Sequence, residues 1–271
     1  MNEAAFQSIV HPTDLSEMSE VAFAHALRLA LAARSALHIL HIEKEKSEGD
    51  WDHFPDVRDL LTKWKMLAPG DSLEATEVGL GVRLFNSALE SDDIARAVGD
   101  YAEQNCCDLL VLMTHESSWV RRIFRGSVAE AAARHAHTPA LFLREGETGF
   151  VRKDIGRVRL NRVLMPVAAD VPPMHAWGVG SKIVRMLEPL AQFQLIHVGD
   201  TLPTFGNLLP HVELRRGPVV ETILEFAEQV RPDLLVMATA GHNELFDDLR
   251  GSTTERVLRQ APCPVLAIPS K

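Results

Sequence analysis

An internal repeat constrains the fold of this chain more than any other feature of its sequence. Residues 108–143 read DLLVLMTHESSWVRRIFRGSVAEAAARHAHTPALFL, and residues 233–269 read DLLVMATAGHNELFDDLRGSTTERVLRQAPCPVLAIP. The matching positions, all 125 residues apart, are Asp108 with Asp233, Gly126-Ser127 with Gly251-Ser252, and Pro139 with Pro264. The chain therefore consists of two copies of one structural unit.

Each copy alternates short apolar strand patterns with amphipathic helix patterns. In the first copy a strand near residues 8–13 breaks at Pro12, and a weaker third strand falls within residues 76–89. Such alternation predicts a doubly wound α/β fold, in which parallel strands are joined by right-handed helical crossovers. The sequence predicts three segments: domain 1 at 1–145 (unit one), a glycine-rich charged linker at 146–160, and domain 2 at 161–271 (unit two). Unit two is shorter and lacks the helix that contains Trp64.

A strand, a polar loop and a helix start follow one another in each repeat. Ser252 with Glu255, and Ser127 with Glu130, form capping boxes that predict where these helices begin. A helix N-terminus that receives a strand through a glycine-containing loop can bind an anion, because its free N–H groups and dipole point into the loop. Helix capping alone, without a ligand, explains the same residues equally well.

Composition excludes several classes of function. The net charge of −9 and the pI near 5.7 argue against nucleic-acid and anionic-membrane binding. No apolar run is long enough for a transmembrane helix, and the first residues run directly into a strand, which leaves no room for a signal peptide. Three cysteines make no disulfide framework, so a cytoplasmic location is expected.

Three stretches carry a resemblance to a known family: IVHPTDLSE at the first strand, LHILHI at the second, and MATAG…RGSTTERVLRQAPCPVLAIP at the end. With both units laid out, the chain looks like a tandem universal stress protein. The resemblance implies two five-stranded parallel sheets of order 3-2-1-4-5, with a ligand crevice at the switch point of each. It also implies that the units pair through their last strands as a pseudo-dimer, and that a homodimer is possible.

The resemblance implies that an adenine nucleotide such as ATP, possibly with Mg²⁺, binds to a pattern of three glycines followed by Ser or Thr. In unit two these positions and their neighbours are Ala238, Gly241, His242, Gly251, Ser252 and Thr253. In unit one the matching positions are Met113, Glu116, Gly126 and Ser127, so two glycines are absent. Backbone approach to a phosphate requires these glycines. Unit two is therefore the predicted site, although its loop is more acidic than the arginine-rich loop of unit one.

The nucleoside contact of the family is an acidic residue after the first strand, which matches Asp14 in unit one and Ala168 in unit two. Asp14 can equally be a helix cap. Flanking positions at the strand ends complete the expected sites: Thr13 and Ile42 in unit one, and Pro166, Val167 and Val198 in unit two.

Three histidines, His11, His41 and His115, fall at or beside the ends of strands one, two and four. Such a group can bind zinc, but hydrogen-bonded histidines at strand ends are the favoured interpretation, so no metal is expected. No catalytic residues and no phosphate-binding loop motif can be assigned. The sequence therefore predicts a stress-response protein that acts by binding, with a nucleotide as regulatory ligand. The alternatives are a nucleotide-free interaction scaffold and a weak ATP hydrolase.

Overall fold

A computed structural model describes residues 6–43, 56–68, 70–71, 73–114, 138–169, 171–204, 209–239 and 253–270. The strands are β1 Ser8–Thr13, β2 Ala36–Glu43, β3 Arg83–Glu90, β4 Leu109–Thr114, β5 Ala140–Arg144, β6 Arg162–Pro166, β7 Gln192–Val198, β8 Val212–Arg215, β9 Leu234–Thr239 and β10 Val265–Pro269. The helices of the described residues are α1 Glu20–Ala33, α2 Val57–Lys63, α3 Leu73–Leu80, α4 Ile94–Gln104, α5 Pro173–Leu187, α6 Val219–Val230 and α7 Thr253–Gln260.

The strands form one ten-stranded sheet of order β3-β2-β1-β4-β5-β10-β9-β6-β7-β8. Within each unit every strand pair is parallel, and each half has the order 3-2-1-4-5 when its own strands are numbered along the chain. The predicted α/β fold with two parallel sheets is confirmed, and the two sheets are continuous with each other.

The two halves join at an antiparallel pair of last strands. Leu141 of β5 lies opposite Leu266 of β10, and these residues occupy equivalent positions in the repeat. On either side Phe142 pairs with Val265 and Ala140 with Ala267. The register therefore has an internal two-fold symmetry centred on the two leucines, and all of these side chains are buried.

Helices cover both faces of the sheet, as parallel strands require. α1 and α5 lie on one face, contact each other across the junction between units, and belong to a single apolar core that runs through both halves. α4, α6 and α7 cover the other face around a second core. Within each unit the carboxyl ends of the strands, where ligands bind in such sheets, lie on the same side of that unit.

The segment 146–160, predicted as the linker, packs closely against unit one. Phe150, Val151 and Leu160 are buried, and an antiparallel bridge joins Val151 to Val158. His25 Nε2 of α1 accepts hydrogen bonds from the backbone N–H groups of Phe150 and Val151, each at 3.0 Å. The connection between the units is therefore part of the core.

The connection between the second and third strands differs from its prediction. The interval 76–89 was expected to hold one weak strand, but α3 extends to Leu80 and β3 begins at Arg83. Gly81 ends the helix, because it adopts φ +72° while its N–H still bonds to Glu77 O at 2.8 Å. In unit two the corresponding described residues, 199–204 and 209–211, contain no helix, whereas unit one has both α2 and α3 there.

Candidate functional site

An opening lies between the first and fourth strands of each unit, at the switch point of the sheet. In unit one β1 pairs with β4 only at Ile9–Leu109 and Val10–Leu110, although both strands continue further. The next ladder bond would run from the amide of residue 12 to the carbonyl of Val111, and residue 12 is a proline without an N–H. The pairing of β1 with β2 continues to Thr13, so the predicted break of the strand at Pro12 is wrong.

Unit two contains the same arrangement. β6 pairs with β9 only at Val163–Leu234 and Leu164–Leu235. Pro166, which corresponds to Pro12, again removes the amide that would extend the ladder. Proline therefore ends backbone pairing at the same point of both repeats, and the carboxyl ends of the two central strands separate beyond it.

In unit one a histidine bridges this opening. His11 Nδ1 donates to the carbonyl of Val111 at 2.9 Å, and so replaces the bond that Pro12 cannot make. The ring is fully buried against Phe23 of α1, and burial lowers its pKa from 6.5 to about 4. Its Nε2 has no hydrogen-bond partner among the described residues. The neutral ring therefore closes the base of the crevice in unit one.

In unit two the residue equivalent to His11 is Met165, which is buried but has no hydrogen to donate across the opening. The side chains beyond it are small: Ala168 and Ala169 are exposed, and Ala238 at the end of β9 is half-buried. The described part of the unit-two crevice is thus lined by a polar backbone and small apolar groups.

A second histidine holds the turn after the first strand in both units. His41 Nδ1 donates to Thr13 O at 2.9 Å, and His197 Nδ1 donates to Val167 O at 2.8 Å. His41 also contacts the Glu43 carboxylate through Nε2. His197 is not among the residues predicted from the sequence. Its position near the end of the second strand matches that of His41, and an aligned pair of histidines was the available signal.

The predicted nucleoside-contact residue, Asp14, holds the turn after β1 in this structure. Its Oδ1 accepts hydrogen bonds from Ser16 N at 3.1 Å, Ser16 Oγ at 2.7 Å and Ser19 Oγ at 2.5 Å. These bonds fix the turn between β1 and α1, as Asx turns do. Asp14 therefore stabilises the turn that leads to α1, whose own N-cap is Ser19.

Some of the remaining predicted site residues lie within the described residues, and the others lie outside them. Thr13, Ile42, Pro166, Val167 and Val198 lie at the carboxyl ends of the first two strands of their units, where Thr13 aligns with His41 and Pro166 with Ile196. Thr253 is exposed at the first position of α7. Outside the described residues lie Gly126, Ser127, Gly241, His242, Gly251 and Ser252.

The histidines do not form a metal site within the described part of the chain, where no group of three or more His, Cys, Asp or Glu side chains has the required arrangement. In both His11 and His41, Nδ1 already faces a carbonyl oxygen. His115 lies outside the described residues. Among the described helices, none has the length and apolar character needed to cross a bilayer.

Comparison with known proteins gives consistent matches across the chain. The model of the universal stress protein family matches residues 5–144 and 168–269. A universal stress protein of Methanocaldococcus jannaschii is 36% identical over 102 residues, which are 36% of this chain and 59% of the relative. The universal stress protein E homolog of Haemophilus influenzae is 22% identical over 220 residues, covering 70% of this chain and 71% of that protein.

Similarity to a solved structure extends over both units. The crystal structure of a universal stress protein from Archaeoglobus fulgidus covers 99% of this chain and 99% of its own, with a TM-score of 0.63 and 17% identity. At this level of identity the match supports the fold. The two family matches coincide with the two repeats of the sheet.

Proposed function

Because this chain belongs to the universal stress protein family, we propose that it is a stress-response protein that acts by binding, with an adenine nucleotide as regulatory ligand of unit two. The observation that carries the proposal is the separation of β6 and β9 beyond Leu235, with Met165 in place of the histidine that bridges the same gap in unit one. Unit two therefore has an opening at the family's ligand position that no side-chain bond of this kind crosses.

The two ends of the unit-two crevice suit the two ends of a nucleotide. The sequence has Gly241, Gly251 and Ser252 at the positions of the family's phosphate-binding pattern, where glycine permits close approach of the backbone to an anion. The exposed Thr253 then begins α7. N–H groups at a helix N-terminus stabilise negative charge there. At the base end, the exposed Ala168 and the half-buried Val198 offer small apolar surfaces.

The proposal assigns unit one a structural role. His11 closes its crevice, Asp14 caps the following turn, and two of the family's three glycine positions are Met113 and Glu116. A carboxylate at residue 116 repels a phosphate. From these differences we infer that unit two binds the nucleotide and that unit one has the structural role. We also propose a cytoplasmic location, which the three free cysteines favour.

Ligand-induced stabilisation tests the proposal on the full chain. Urea unfolding is measured with and without MgATP, for the wild type and for Gly251→Asp, with Gly126→Asp as the matched control in unit one. At ATP concentrations about 100 times the dissociation constant, linkage predicts a gain of about 2.7 kcal/mol. We expect Gly251→Asp to abolish the gain and Gly126→Asp to retain it. The reverse pattern would move the site to unit one.

The same experiment separates the alternatives. If MgATP stabilises none of the three proteins, the chain is a nucleotide-free scaffold, which the engaged carboxylate of Asp14 already favours for unit one. If ATP is turned over and Gly251→Asp stops the turnover, the protein is a weak hydrolase. Binding without turnover supports the regulatory role.

A further inference from the structure

The two outer edges of the ten-stranded sheet differ in length and character. β8, at the unit-two end, has only four residues, and two of them form the Arg215–Glu213 ion pair at 2.7 Å. β3, at the unit-one end, has eight residues and pairs with β2 along its whole length. Short, charged edges resist association with other strands, whereas long uncharged ones promote it.

The outer side of β3 has outward-facing backbone groups at alternate residues, and the first of them, Leu84 N, already donates to Glu77 Oε1 at 3.1 Å. Arg83 N bonds to Ser35 O and Ser91 N to Glu43 O, so the odd-numbered residues direct their N–H groups towards β2. The even-numbered residues from Leu84 to Glu90 therefore direct theirs outward, where no strand of the described residues pairs with them.

Two large apolar side chains lie on one face of this edge. Phe85 is 41% exposed and Leu89 is 38% exposed. They are four residues apart in a strand, so they share a face. That face also carries Ser87 between them.

The exposed ring of Phe85 is held by a chain of partly buried polar contacts. It stacks on His38 of β2, with ring centroids 4.6 Å apart and an interplanar angle of 16°. His38 Nδ1 lies 2.9 Å from Tyr101 Oη, which lies 2.8 Å from Ser87 Oγ. Unit two has no such chain, because Gln194 and Phe226 replace His38 and Tyr101. An exposed aromatic with a fixed orientation loses little entropy on binding, as interface anchors require.

We propose that β3 pairs with β3 of a second copy of this chain, antiparallel and centred on Ser87. A two-fold axis perpendicular to the sheet keeps its faces aligned, so odd residues lie opposite odd residues. Centring on Ser87 places Phe85 opposite Leu89 of the second copy, twice in each dimer. Even residues then form the hydrogen-bonded pairs: Asn86 pairs with Ala88, and Leu84 pairs with Glu90 when Leu84 N exchanges its bond to Glu77 Oε1 for one to the second copy. No like charges lie opposite each other.

Self-complementarity identifies a second copy as the occupant. The nearest alternative register, centred on Asn86, places Phe85 opposite Ser87 and Arg83 opposite Leu89, so neither of the two exposed large apolar side chains meets an apolar partner. The molecule already contains a junction of the same type, because β5 and β10 meet antiparallel about the equivalent leucines 141 and 266. The proposed pairing would extend the sheet from ten strands to twenty across the dimer.

Sedimentation velocity of the full chain tests the interface. We expect the wild type to dimerise and Phe85→Lys to weaken the dimer on the order of 100-fold, because each dimer loses two anchors. Leu214→Lys, which places the same charge on the half-exposed β8 edge, is the matched control and should dimerise as the wild type does. A monomeric wild type at concentrations on the order of 100 μM, or a Phe85→Lys protein that dimerises normally, would overturn the proposal.

A cysteine cross-link tests the register. In a Cys106→Ser background, Ser87→Cys brings two thiols together at a non-hydrogen-bonded pair, where opposing Cα atoms are about 4.5 Å apart. We expect mild oxidation to give a covalent dimer. Asn86→Cys, which lies opposite Ala88 on the other face, should not cross-link. Equal cross-linking of both variants, or of neither, contradicts the register.

Discussion

Unit one and unit two have the same sheet order, but they use the opening between their central strands differently. Pro12 and Pro166 end the ladder at equivalent points, and in unit one His11 then donates across the gap to Val111 O. Met165 makes no such bond in unit two. The comparison shows that the proline creates the opening in both repeats, and that the residue before it determines whether the opening is bridged.

The connecting segment increases the difference between the units. It packs on α1 through His25, and Trp64 Nε1 donates to Lys153 O at 2.9 Å. The longer β2–β3 connection of unit one therefore covers the chain that joins the units. Among the described residues, unit one therefore has packing against the connecting segment that unit two does not have.

The largest predicted effect is a loss of stability in acid that originates in unit one. Burial lowers the pKa of both His11 and His25 from 6.5 to about 4. Between these values the unfolded chain binds more protons than the folded chain, so stability falls as pH decreases from 6.5 to 4. Each histidine contributes a loss of about 3 kcal/mol over that range. Urea unfolding at a series of pH values measures the slope.

Placing the unit-two residue in unit one isolates the contribution of His11. We expect His11→Met to reduce stability at pH 7 by about 1 kcal/mol, because Val111 O loses its donor. The pH slope should fall by about half. Met165→Leu, at the equivalent position, is the control and should leave the slope unchanged. Parallel pH profiles for the wild type and His11→Met would show that His11 does not distinguish the units.

The next largest loss of stability is expected where the connecting segment approaches α1 most closely. Gly149 has φ +63°, and a Cβ there would lie 2.3 Å from His25 Nε2. Gly149→Ala therefore combines left-handed strain with overpacking, and we expect it to cost about 3 kcal/mol. Gly146→Ala, at φ +83° with nothing within 4 Å, should cost about 1 kcal/mol. Equal losses in urea unfolding would mean that the segment is loosely attached.

These glycines also show where sequence analysis reached its limit. Apolar periodicity and the repeat predicted the alternating elements, because both depend on local pattern. The glycines and charges of residues 146–160 suggested an open linker, whereas the structure uses Gly149 and Gly156 for close contact with His25 and Trp64. Such contacts join residues far apart in the chain, so no local pattern reveals them.

For the candidate site, too, the sequence predicted some features correctly and others not. The sequence placed the strand ends correctly along the chain, but it assigned Pro12 as a strand break and overlooked His197. Only the strand order shows that residue 12 faces β4, so that its missing N–H affects one ladder and leaves the pairing with β2 intact. The loops themselves, at 115–137 and 240–252, lie outside the described residues.

At the amino ends of the strands, opposite the candidate sites, we expect the two units to behave alike. Asp108 accepts hydrogen bonds from Gln7 N at 2.8 Å and Ser8 N at 3.1 Å, and Asp233 accepts from Asn161 N at 2.7 Å and Arg162 N at 3.0 Å. Asp108→Ala and Asp233→Ala should each cost about 2 kcal/mol in urea unfolding, because each leaves two strand amides without an acceptor.

The surface-exposed Asp100, which forms an i,i+4 pair with Arg96 on α4, provides the control. Asp100→Ala should cost less than about 0.5 kcal/mol. If the losses for Asp108→Ala and Asp233→Ala differ by more than about 1 kcal/mol, the asymmetry between the units extends beyond the ligand edge.

Asp14 is the residue at which the comparison between units becomes a test of function. Its carboxylate holds Ser16 and Ser19, so Asp14→Ala should cost about 1 kcal/mol, because the hydrogen bonds of an exposed turn are lost. Asp14→Asn keeps an acceptor oxygen and should lose less. Because Asp14 belongs to unit one, neither variant should change MgATP affinity measured by calorimetry. A tenfold loss of affinity in Asp14→Ala would place the nucleoside in unit one, and with it the ligand-binding role.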